Sequence, residues 1–180
     1  MLLTDFYKNS HFHSLLCEKL SMDNARVHID GLTGSLPAVL GASLASSFPE
    51  RNMLFLIGSK EDAYYLQNDL ETLLEESGLD IDKKRVLLFP TTYRKPYQTE
   101  ETDNANVLMR SEVVKQLNSG RRMVVVTYPE AIAEKVVSSK TFHETSLFVG
   151  KGSKLDMDFV IDVLQNYDFD VKQLLDGRAS

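Results

Sequence analysis

Val27-His28-Ile29-Asp30-Gly31-Leu32-Thr33-Gly34-Ser35-Leu36-Pro37-Ala38 reads as strand, glycine turn, helix. The β-branched run at 27–29 predicts a strand, and Val39, Leu40 and Leu44 recur on one face of a helix from Pro37 to Ser47. Ser35 is placed to cap that helix, and Pro37 falls in its first turn, where a missing N–H costs nothing. The outline is that of a phosphate-binding loop, G-x-x-x-x-G-K-[ST]. In such a loop backbone N–H groups cradle phosphates, the lysine meets their charge and the hydroxyl holds magnesium. Aligned from Gly31, the second glycine is replaced by Leu36, the lysine by Pro37 and the hydroxyl by Ala38. Leu36 puts a side chain where backbone should approach phosphate, Pro37 removes a cation and an N–H, and Ala38 removes the metal ligand. Gly31, Thr33, Gly34, Ser35, Leu36, Pro37 and Ala38 therefore read as a degenerate loop, a capped turn without ATP chemistry. Weak anion binding at the helix N-terminus is the alternative.

The same alternation continues outward. Phe12, Leu15, Leu16 and Leu20 predict an amphipathic helix over residues 10–21. Met53 to Ile57 reads as a buried strand. Ser59 and Asp62 resemble a capping box opening a helix to about Glu76, with Ala63, Leu66, Leu70 and Leu73 inward. Val86 to Phe89 is a third strand, followed by a polar segment from Pro90 to Asp103. A helix from Asn104 to Gly120 is expected to turn Met109, Val113 and Leu117 inward, with Gly120 ending it. Met123 to Thr127 is a fourth strand and Pro129 opens a short helix to about Val137. Apolar strands separated by helices predict an α/β fold with a parallel-rich sheet covered on both faces. From Lys140 a new unit is expected, with a strand at Ser146 to Val149 and a helix marked by Met157, Val160, Ile161 and Leu164.

Composition narrows the function. A net charge of -6 argues against a stand-alone nucleic-acid binder, which needs a basic face. Cys17 is the single cysteine, so no internal disulfide and no multi-cysteine zinc site is expected. It reads as a small buried apolar residue. No apolar run reaches membrane-spanning length, and a cytoplasmic, soluble protein is expected. No catalytic residue, metal site or cofactor is read from the sequence. His11 and His13 would face different ways on a helix, His28 falls in the expected first strand, and His143 in a loop. After the strand ending at Thr127, Glu130 alone offers a carboxylate, and it sits in a helix's first turn. Lys83-Lys84-Arg85 and Arg121-Arg122 read as solvated charges entering strands. Tyr93, Arg94, Lys95 and Tyr97 interleave aromatics with cations, a pattern suited to stacking on single-stranded nucleic acid or meeting a partner. Tyrosines packed over a sheet edge are the plainer reading.

The order of these features resembles the N-terminal portion of bacterial transcription-repair coupling factors, whose first domains are similar to those of the excision-repair protein UvrB. The resemblance rests on Gly31 to Ser35, Leu88-Phe89-Pro90 with Pro96-Tyr97, Arg110, Val124 to Thr127 with Ala131-Ile132, and Leu147 to Gly150 before Leu155-Asp156. It implies a helicase-like, P-loop-like topology, with a UvrB-like first domain over residues 1–139. Residues 140–180 would begin a second, UvrA-binding-type α/β domain that stops short. It also implies a non-catalytic module that recruits UvrA during nucleotide excision repair. Other domains of the parent protein would engage stalled RNA polymerase and translocate on duplex DNA using ATP. In UvrB the phosphate loop is complete, so the losses at Leu36, Pro37 and Ala38 favour the coupling factor. The alternative is an active UvrB- or helicase-type ATP-dependent repair enzyme. The family's UvrA-binding run, G-x-[YF]-A-x-R-G, has no recognisable counterpart in Leu174 to Ser180.

Overall fold

The structure, a computed structural model, describes residues 3–95 and 98–136, with residues 138, 140, 152 and 161. The chain divides into two compact units, Met1–Val136 and Val137–Ser180. The expected strand at 146–149, and the expected helix around Met157 apart from Ile161, lie outside the described residues, as does His143.

The first unit is α/β. Two short helices, α1 (Leu3–Lys8) and α2 (His11–Leu20), precede α3 (Leu36–Ser47), and β1 (Met53–Leu56) leads into α4 (Lys60–Leu73). β2 (Val86–Phe89) is followed by β3 (Tyr93–Lys95), β4 (Gln98–Thr102) and α5 (Asn104–Asn118). β5 (Val124–Thr127) and α6 (Pro129–Ala133) complete it. Three strands form a parallel sheet in the order β1-β5-β2. The chain therefore passes over β5 on its way from β1 to β2, then turns back to fill the gap. Right-handed crossovers running in opposite directions place their helices on opposite faces of the sheet, and the core shows that arrangement. Val86, Leu88, Val124 and Val126 point to one face and cluster with Ala38, Ala42 and Ala45 of α3 and Ala63, Leu66 and Leu70 of α4. Leu87 and Val125, one residue out of phase, meet Val113 of α5 on the other face.

Small residues bring α3 down onto the sheet. A Cβ built on Gly41 would lie 2.9 Å from the Phe55 ring, so the helix backbone itself is in contact with β1. At the far end of α5, Gly120 adopts φ +79°, the left-handed conformation that ends the helix. Among the described residues, no helix is long and apolar enough to cross a membrane.

Several expected features differ. Residues 27–29 join no ladder, and Val27 and His28 are exposed. His28 pairs with Asp30 at 2.8 Å instead of lying inside a strand. The second sheet face is not closed over β1, where Leu54 and Leu56 remain 63% and 57% exposed. They are apolar by composition but lack the cover that a doubly packed parallel strand requires. Beside them Leu54, Val125, Leu117, Ile132 and Val136 line an apolar groove of about 400 Å³. Leu117 is thus 42% exposed rather than inward. In α2 the buried residues are His13 and Leu16, while Phe12 and Leu15 face outward. The segment read as a polar loop contains an antiparallel ribbon, with Tyr93 opposite Thr102 and Lys95 opposite Gln98. Its tyrosine and threonines favour extended backbone despite their polarity.

Candidate functional site

The glycine turn is present, with Gly31 at φ +78° and Gly34 at φ +58°, and Gly31, Thr33, Gly34 and Ser35 are exposed. Leu36 opens α3, and Pro37 lies half-buried in its first turn. Ala38 is 1% exposed and belongs to the core cluster beneath α3. The position where a phosphate loop carries its metal-binding hydroxyl is thus committed to packing. Three backbone donors are committed as well: Leu36 N–H bonds Thr33 O at 3.2 Å, and Ala38 N–H and Val39 N–H both bond Ser35 O at 3.1 Å. Pro37 has no N–H to offer.

Ser35 makes no side-chain cap bond, contrary to its expected role. An N-cap hydroxyl reaches the second or third helical N–H from extended backbone. Ser35 instead has φ −81° and ψ 4°, its second helical residue is proline, and Ala38 N–H already bonds its carbonyl. Ser59 has the required extended backbone (φ −135°, ψ 157°), and its hydroxyl accepts from Asp62 N–H at 3.1 Å.

The carboxyl ends of parallel strands are where open α/β sheets place ligands, and here they are laced by a polar network. Arg110 of α5, 6% exposed, donates through Nη1 to Pro90 O at 2.7 Å and Ala131 O at 3.0 Å. Its guanidinium lies 4.0 Å over the Phe89 ring and 3.6 Å from Glu134 Oε2. Burial pushes the guanidinium pKa down, against the opposing pull of Glu134 and Tyr128. Thr92 donates its N–H to Glu134 Oε2 at 2.9 Å and its hydroxyl to the same carboxylate. Thr91 N–H donates to the Tyr128 hydroxyl at 3.0 Å. Asp103 N–H closes onto Thr92 O at 2.8 Å, tying the residue before β3 to the residue after β4.

No family model, curated protein or solved structure matches the chain.

Of the aromatic and basic quartet, Tyr93, Arg94 and Lys95 fall on β3, and Tyr97 lies outside the described residues. The arrangement does not gather the loop at residues 31–38 with any metal-binding set: among the described residues no group of three or more His, Cys, Asp or Glu side chains is placed to hold an ion. The basic pairs are not simply solvated either. Lys84 bonds the buried Glu71 at 2.6 Å, and Arg85 donates to Ala45 O at 2.9 Å at the end of α3. Arg121 donates to the carbonyls of Asp82 and Lys83. Cys17 is half-buried, with its sulfur 3.3 Å from His13 Nε2. The clamp built by Thr92, Arg110 and Glu134 is not evident from local pattern. Its one signal is spacing: Asn106, Arg110 and Val113 share an inward stripe, and an arginine there needs acceptors.

Proposed function

We propose that this chain is a non-catalytic UvrB-like module of a bacterial transcription-repair coupling factor, acting in the cytoplasm to recruit UvrA where RNA polymerase has stalled. In this reading the first unit is a helicase-like domain that keeps its sheet and helices but has lost nucleotide chemistry. The observation that carries it is the fate of the phosphate-loop positions. Pro37 sits in a helix's first turn and Ala38 is sealed in the core, with the Leu36, Ala38 and Val39 N–H groups bonded internally. These are changes of architecture, not only of charge. The β1-β5-β2 order, with crossovers on both faces, is compatible with the helicase-like arrangement. RNA polymerase and duplex DNA would be engaged by other domains of the parent protein.

The test is a pull-down with purified UvrA, using the parent protein with and without this region. UvrA retention by the intact protein and its loss on deletion is the expected outcome. Undiminished retention after deletion would rule the reading out.

A further inference from the structure

We infer that His13 is a pH-sensitive latch holding the α1–α2 hairpin against α3: the neutral imidazole docks, and its protonation releases the hairpin. The ring is 4% exposed. Its Nε2 lies 3.0 Å from Ser47 Oγ, on the last turn of α3, and 3.3 Å from Cys17 Sγ on its own helix. Nδ1 is buried with no hydrogen-bond partner. A neutral imidazole leaves one ring nitrogen unpaired here. An imidazolium carries N–H on both nitrogens, so protonation would bury a charged donor with nothing to receive it.

The surroundings set the sign. From α1, the Tyr7 ring meets the imidazole edge-on at 6.0 Å, and Lys8 adds positive charge; Asp5 lies on the same helix. α3 contains no charged residue. A helix C-terminus ordinarily welcomes a cation, but this one is already served. Arg85 donates to Ala45 O at 2.9 Å, Phe48 O at 3.4 Å and Pro49 O at 3.3 Å. Arg51 lies over the Phe48 ring at 4.6 Å and donates to Leu20 O, at the end of α2, at 2.8 Å. A positive charge on His13 meets repulsion from Lys8. Burial first, and Lys8 second, hold the imidazole pKa below its usual 6.5.

The released hairpin therefore binds the proton more tightly than the docked one. Docking is at full strength above pH 6.5 and weakens below it, by up to about tenfold per pH unit, until the docked imidazole itself titrates. Among the described residues of α1 and α2, those fully buried are Thr4, His13 and Leu16, so the imidazole is a large part of what the hairpin buries. Release of these helices is local and leaves the sheet intact.

The experiment is amide hydrogen exchange by mass spectrometry on the full chain at pH 7.5, 6.5 and 5.5, corrected for intrinsic exchange and referenced to α4. Protection of residues 4–20 should fall between pH 6.5 and 5.5, by up to about fivefold, and His13→Gln should abolish that dependence. Protection that is pH-independent in the native chain, or an identical pH profile in His13→Gln, would overturn the inference. If His13→Gln leaves the hairpin undocked at pH 7.5, NMR titration of the native imidazole decides. A midpoint below 6.5 supports the latch, and one at or above 6.5 refutes it.

Discussion

Gly41 sets how closely α3 approaches the sheet, and two opposing effects meet there. Replacing a mid-helix glycine by alanine gains about 1 kcal/mol of helix propensity. The new Cβ, however, would stand 2.9 Å from Phe55 Cζ and 3.3 Å from Leu70 Cδ2, with Leu70 fully buried. Overpacking of this kind costs about 1–3 kcal/mol, so the steric effect should win. Gly41→Ala is expected to destabilise the chain by about 1 kcal/mol in urea unfolding. Phe55→Leu in the same background should recover part of the loss, with a coupling energy of at least about 0.5 kcal/mol. A stabilised Gly41→Ala chain would mean that α3 does not rest on β1 as described.

Helix starts show what an element's sequence specifies and what its neighbours decide. Ser59 and Ser35 look alike as cap candidates, yet only the Ser59 hydroxyl bonds its helix. Ser59→Ala should therefore cost about 1 kcal/mol, and Ser35→Ala only a few tenths. Comparing midpoints of chemical unfolding for the two variants measures the contrast, and equal losses would contradict it. The same contrast explains how far the elements were legible. Val86 to Phe89 is apolar at every position and Val124 to Thr127 at all but Thr127, and both sit centrally or under a helix, so composition and burial agree. Met53 to Leu56 is equally apolar but alternates between half-buried and exposed, because cover on its second face depends on tertiary packing that the segment does not encode. Val27 to Ile29 has strand propensity without a partner. The strands Tyr93–Lys95 and Gln98–Thr102 pair despite their polarity, since cross-strand context can outweigh hydrophobicity. At the candidate site the missing lysine and hydroxyl were plain from residue identity alone. The Arg110 clamp was not, because its acceptors Pro90, Ala131 and Glu134 lie 20 to 24 residues away in sequence.

At the scale of the whole molecule, the turn at residues 31–38 departs from a phosphate-binding loop by more than two side chains. A working loop needs a strand fixed in the sheet to aim the turn, free N–H groups to cradle phosphate and acidic residues to hold magnesium. Here residues 27–29 stand outside the ladder, the Leu36, Ala38 and Val39 N–H groups are bonded within the turn, and Ala38 is core. Restoring only the consensus chemistry, by Pro37→Lys with Ala38→Thr, addresses the lysine and the hydroxyl and nothing else. Threonine at a site 1% exposed must place a hydroxyl and a methyl against the core cluster, which should cost about 1–3 kcal/mol. The double variant is expected to show a lower urea midpoint, no calorimetric heat with Mg-ATP and phosphate release equal to the protein-free background. ATP turnover above that background would show that the loop needs only these two side chains, and would overturn the proposal that the chain is a non-catalytic module.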